Sequence, residues 1–129
     1  MSQENVEIVR RLYEARGSEF YELLDPHVVF LNYAAAPEPG PYVGHEGVHE
    51  WARAFRTAFG YLEVHAAEFI DAGGDQVVAV HRLTGAGITS GIPVEREIPT
   101  LFTLLNGKIV RAQGFDTRAE ALEAAGVSE

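Results

Sequence analysis

The chain has 129 residues, 47% hydrophobic and 22% charged, with a formal net charge of −9 and no cysteine. That size suits one domain over 1–129 with a real core, and the acidic balance disfavours phosphate backbones and anionic membrane surfaces. Lack of cysteine excludes disulfides, thiol nucleophiles and thiolate zinc sites. The polar, acidic start and the absence of a long apolar run lead to the expectation of a cytoplasmic protein.

Ser2 is a candidate cap for a first helix, with Glu4 in its opening turn and Val6, Val9, Leu12 and Tyr13 near helical spacing. Gly17 is a plausible stop. A short second helix is predicted in "SEFYELL", ended by Asp25-Pro26. "HVVFLNY" (27–33) reads as a central strand, apolar on both faces. A Pro/Gly-rich loop follows, then a helix from about His45 to Phe59 that buries Val48, Ala52, Phe55 and Phe59 with Trp51 beside them. "YLEVHAAEFIDAG" and "QVVAVHRLTGAG" form a strand pair across a Gly73-Gly74-Asp75 turn. The stretch "ITSGIPVERE" has no defined form.

The clearest local signal lies between Ile98 and Asp116. Two apolar strands flank Asn106-Gly107, a pair suited to a type I′ turn because both central residues need positive φ. Thr117-Arg118-Ala119-Glu120 is a capping box that opens a last helix holding Ala121, Leu122 and Ala125. Helices followed by a run of antiparallel strands indicate an α+β fold, a curved sheet folded around its helices.

The segments "NVEIVRRLYEA", "LLDPHV", "YVGHEGVHEW" and "NGKIVRAQGFDTRAEALEAAG" resemble SnoaL-like proteins of the nuclear-transport-factor-2-like superfamily. The resemblance covers nearly the whole chain. It implies a cone-shaped α+β fold, with a curved antiparallel sheet wrapped around N-terminal helices and one hydrophobic pocket. A homodimer through the sheet is also implied. Ketosteroid isomerases, limonene-epoxide hydrolase-like enzymes, polyketide cyclases and non-catalytic binding modules share this fold, so the fold does not choose among them.

Carried over from the ketosteroid isomerases, the general-base aspartate falls on Asn32 and the oxyanion-hole acid on Thr100. The oxyanion-hole tyrosine falls on Leu12, with Tyr13 one residue away. Those departures argue against steroid isomerisation by that route. Carried over from the limonene-epoxide hydrolases, the water-positioning asparagine matches Asn32, the tyrosine Phe30 and the arginine Arg82. Their two aspartates fall on Thr84 and Gly114. Asp116, two residues further and therefore on the same strand face, is a candidate replacement.

The expected catalytic set is therefore Asp116, Arg82 and Asn32, with Tyr13, Phe30, Trp51, Phe55, Thr84, Thr100 and Phe102 as ligand-binding residues. Each has a plainer reading. Asp116 also suits a helix cap, Arg82 a structural ion pair, and Asn32 a bond to a neighbouring loop. Strand alternation puts Arg82 and Thr84 on one face and His81 on the other, both largely apolar; with the face the resemblance implies turned inward, His81 lies outward as a structural residue. No cofactor or metal is expected. His45-Glu46-Gly47-Val48-His49 fits H-E-x-x-H, a zinc-hydrolase motif, but names no third ligand. Ser18, Ser90 and Ser128 lack nucleophile-elbow surroundings.

The functional expectation is a small-molecule-pocket protein, a cofactor-free acid–base enzyme acting as an isomerase, cyclase or epoxide hydrolase on an apolar ring compound. The alternative is a non-catalytic ligand-binding or dimerisation module, with a zinc hydrolase third.

Overall fold

The computed structural model describes residues 2–36 and 38–127, with only the backbone of Ser2, Ala66 and Ala67. The expected capping role of the Ser2 side chain, and Ser128, lie outside the described residues.

The elements run α1 (Ser2–Glu14), α2 (Ser18–Glu22), β1 (Leu24–Leu31), β2 (Tyr42–Val43), α3 (Gly44–Ala58), β3 (Phe59–Asp71), β4 (Gln76–Gly87), β5 (Pro93–Leu105), β6 (Lys108–Gly114) and α4 (Arg118–Ala124). One sheet of order β2-β1-β6-β5-β4-β3 curls around the helices. This is the α+β class expected. Four pairings are antiparallel and β1 lies parallel to β6, with α3 and four strands between them in the chain.

The Asn106-Gly107 turn closes the β5–β6 hairpin with φ of 51° and 78°, which gives the strands the right-handed twist of a type I′ connection. The capping box is present in full. Thr117 Oγ1 accepts the Glu120 N–H at 3.1 Å, and Glu120 Oε1 accepts the Thr117 N–H at 3.0 Å.

Two stretches differ from expectation. β1 begins at Leu24, running through Asp25-Pro26, because Leu24 pairs with Ile109 of β6 and is almost fully buried. β5 begins at Pro93, so "PVERE" is strand. Its Glu95, Arg96 and Glu97 pair in register with Thr84, Leu83 and Arg82, and the ladder outweighs their low strand propensity.

The main core lies inside the curl. Val9 and Leu12 of α1, Val48 of α3, Val28 and Phe30 of β1, and Val77 and Ala79 of β4 meet there. A smaller core lies on the outer face, where Ala121 and Leu122 of α4 cover Val78 and Leu101. Strand β4 is thus buried on both faces from Val77 to Val80. Each large aliphatic side chain so buried contributes roughly 1.5–3 kcal/mol.

Candidate active site

A cavity of about 340 Å³ opens between the concave face of the sheet and helices α1 and α3. Leu12 and Tyr13 come from α1, Trp51, Ala52 and Phe55 from α3, and Phe30 from β1. The sheet floor is Leu62 and Val64 of β3, His81 and Leu83 of β4, Ile98, Thr100 and Phe102 of β5, and Ala112 and Gly114 of β6. Aromatic edges stack along one wall: Phe30 against Trp51 at 5.0 Å and Trp51 against Phe55 at 5.2 Å.

One polar cluster interrupts this apolar lining. The Tyr13 hydroxyl lies 2.8 Å from His81 Nδ1. Burial pushes the Tyr13 pKa well above its usual value, and the hydrogen-bonded Thr100 side chain works against that rise. Burial likewise pushes His81 down to about 4. At neutral pH the site therefore holds a protonated phenol and a neutral imidazole. The Tyr13 ring is fixed by edge contacts with Phe69 at 5.9 Å and Phe102 at 6.1 Å.

Asn32 also lines the cavity, but its amide is already engaged. Its Oδ1 accepts the Trp51 indole N–H at 2.9 Å, and its Nδ2 donates to the Glu38 carbonyl at 2.8 Å. It ties β1 to α3 and to the loop after β1.

Of the other expected site residues, Tyr13, Phe30, Trp51, Phe55, Thr100 and Phe102 lie on the cavity wall. Arg82 and Thr84 do not. The phase of β4 is the reverse of that expected: His81 and Leu83 face inward, while Arg82 points outward and pairs with Glu95 at 2.6 Å. The Arg82 side chain is 55% exposed, and Glu95 raises its pKa. The phase was ambiguous because α4 covers the outer face at Val78, making both faces of the strand apolar there. The charges opposite Arg82 are the signal that resolves it. Glu95 and Glu97 of β5 sit on one face at spacing two, and a face with three charges is the wet one.

Asp116 does not line this cavity. Its Oδ1 accepts Arg96 Nη2 at 2.8 Å, with both side chains about one-third exposed, and it borders a shallow neighbouring cleft. Arg96 also lies over the Tyr33 ring at 4.1 Å. The cap of α4 is Thr117, so Asp116 is an ion-pair partner rather than a cap. Asn32, Arg82 and Asp116 therefore do not converge. An acid at Gly114, where its position would carry one in a relative, would crowd the backbone, because a Cβ there would lie 3.1 Å from the Tyr33 nitrogen and the neighbour would have to give by a few tenths of an ångström.

The paired histidines are both engaged. His45 Nε2 bonds the Leu24 carbonyl at 3.0 Å, and His49 Nδ1 meets the Tyr21 hydroxyl at 3.0 Å while stacking on its ring. Among the described residues no group of three histidine, aspartate or glutamate side chains could hold a metal. No helix among them is long and apolar enough to cross a membrane.

Comparison with solved structures places this arrangement among known ones. A SnoaL-like protein of provisional polyketide-cyclase assignment from Jannaschia sp. CCS1 is 27% identical, with a TM-score of 0.75 over 95% of this chain and 91% of that one. An NTF2-like protein of unknown function from Burkholderia pseudomallei K96243 is 20% identical, with a TM-score of 0.75 over 93% and 95%. A protein with a ketosteroid isomerase-like fold from Catenulispora acidiphila DSM 44928, solved with trimethylamine, is 16% identical, with a TM-score of 0.72 over 95% and 94%. The last two share the fold alone. No curated protein matches the chain. The SnoaL-like domain family matches residues 7–112, most of the chain and nearly all of the cavity wall, and the protein belongs to that family.

Proposed function

We propose that the protein takes a small, largely apolar ring compound into the cavity and acts on it by cofactor-free acid–base chemistry through Tyr13 and His81. The observation that carries this reading is the Tyr13–His81 contact, set in a mostly apolar wall. Pockets of this kind orient a ligand by few polar groups among many apolar ones. With Tyr13 donating to Nδ1, the imidazole carries its proton on Nε2. That N–H is then a donor for a carbonyl or hydroxyl oxygen of the ligand. As Nε2 gives its proton to that oxygen, Nδ1 takes the Tyr13 proton, and the resulting phenolate is reprotonated by the proton that the ligand's own carbon or hydroxyl, or an attacking water, gives up later in the same isomerisation, cyclisation or hydration.

A second reading has its own support. No carboxylate lines the cavity among the described residues, and an imidazole held at a low pKa is a weak base at neutral pH. A non-catalytic ligand-binding module fits both facts. The whole chain as one domain, a cytosolic setting and self-association through the outer sheet face belong to the same proposal; sedimentation velocity tests the last.

The two readings part on turnover. Ring ketones and phenols would be screened by thermal shift, and hits followed by mass spectrometry for product. The enzyme reading expects Tyr13→Phe and His81→Gln each to lower turnover roughly 100-fold while binding changes only a few-fold. Ligands that bind without any conversion by the unaltered protein would leave the binding module. Failure of every hit to compete for the cavity would overturn both.

A further inference from the structure

We propose that the cavity's ligand is an anion: a ring compound with one acidic group whose charged end rests at the mouth between Arg16 and Arg56. This rests on the reading of the cavity as a ligand site.

The chain carries 19 acidic and 10 basic residues, close to two acids for every base. A wall drawn at random from it would be acidic. Yet the formally charged side chains lining the cavity are Arg16 and Arg56, with no carboxylate among the described lining residues. Both are exposed, which puts them where the cavity meets solvent.

Arg16 follows α1, and its Nη1 donates to the carbonyls of Glu14 at 3.2 Å and Ala15 at 3.0 Å. Those bonds use both Nη1 hydrogens and hold the guanidinium in place. Its Nε and Nη2 hydrogens have no partner among the described residues, so that edge of the guanidinium is left free for a ligand. Arg56 lies in the last turn of α3 and makes no hydrogen bond or ion pair among the described residues. Burial raises the Tyr21 pKa, and the Arg56 charge works against that rise. Arg82 and Arg96, outside the cavity, by contrast each hold a carboxylate.

Guanidinium groups recognise carboxylate, sulfonate and phenolate oxygens by charge-assisted hydrogen bonds. The cavity thus offers cations at its mouth, an apolar middle, and the neutral Tyr13–His81 pair further in. An amphipathic anion matches that order.

A matched pair of fluorescent probes tests this. 8-Anilinonaphthalene-1-sulfonate and N-phenyl-1-naphthylamine share their rings and differ by the sulfonate. The proposal expects tighter binding of the sulfonate, and roughly a threefold to fivefold loss of that preference in each of Arg16→Gln and Arg56→Gln, with the neutral probe unchanged. Ala52→Trp, which fills the cavity from α3, should abolish binding of both while the circular dichroism spectrum stays native.

The favourable placement of an arginine in the last turn of a helix is the rival explanation for Arg56. It would lower the melting temperature of Arg56→Gln and leave the probe preference untouched. Equal affinity for the two probes, unaffected by either substitution, would overturn the anion and keep the apolar ligand site. Binding that survives Ala52→Trp, or no binding of either probe, would overturn the ligand site as well.

Discussion

Tyr13 and His81, 68 positions apart in the chain, meet at 2.8 Å inside the cavity with their rings tilted at 58°. The contact joins α1 to the most deeply buried strand of the sheet. It is both a structural tie and a polar pair set inside the cavity.

Removing the hydroxyl alone should therefore be felt in stability. Tyr13→Phe keeps the edge contacts with Phe69 and Phe102 but leaves His81 Nδ1 without its partner. The expected cost is about 1–2 kcal/mol, read by urea unfolding. Unchanged stability would mean that water replaces the phenol without loss.

His81 also gives stability a pH dependence. Its folded pKa of about 4 lies below the unfolded value of 6.5, so between those values the unfolded chain binds more protons. Stability from this group is complete above pH 6.5 and falls as pH drops toward 4. Between pH 7.5 and 4.5 the unaltered protein should lose about 2 kcal/mol more than His81→Gln, the difference removing the carboxylate background. Parallel pH profiles for the two proteins would contradict this.

The two arginine–carboxylate pairs should behave unequally. Arg82–Glu95 is more than half exposed, and Arg82→Ala should leave stability nearly unchanged and ligand binding unaltered. Arg96 is held by Asp116 and by the Tyr33 ring, and its Nε is buried without a partner among the described residues. Asp116→Ala removes the carboxylate paired with Arg96 and should cost about 1–2 kcal/mol. Equal costs in chemical denaturation would show that burial does not separate the pairs.

Gly85 is where backbone approach leaves no room. A Cβ there would sit 2.3 Å from the Tyr61 carbonyl oxygen, which is main chain and cannot swing aside. Gly85→Ala must push β3 from β4 beside the cavity wall, and a loss above about 2 kcal/mol is expected in thermal or urea unfolding. A melting temperature within a degree of the unaltered protein would sink this account.

The elements with local causes were legible in the chain. Asn106-Gly107 and Thr117 with Glu120 each satisfy a backbone requirement within a few residues, and both stand in the structure as the pattern predicts. Apolar spacing placed α1 and α3, and the quoted segments led to the family. Tyr13, Phe30, Trp51, Phe55, Thr100 and Phe102 reach the cavity because large apolar faces of these elements have nowhere else to go.

Tertiary structure decided which residues share a space. Period-two alternation defines two faces of β4 without saying which is inside, and α4 packing on Val78 erased the apolar contrast that would have told them apart. That one-residue phase exchanged His81 for Arg82. Asp116 went to Arg96 by the register of distant strands, and the Arg16 and Arg56 mouth arose from helix ends 40 positions apart. Local chemistry chooses turns, caps and periods; pairing register and layer packing choose a site's members, because they depend on contacts far apart in the sequence.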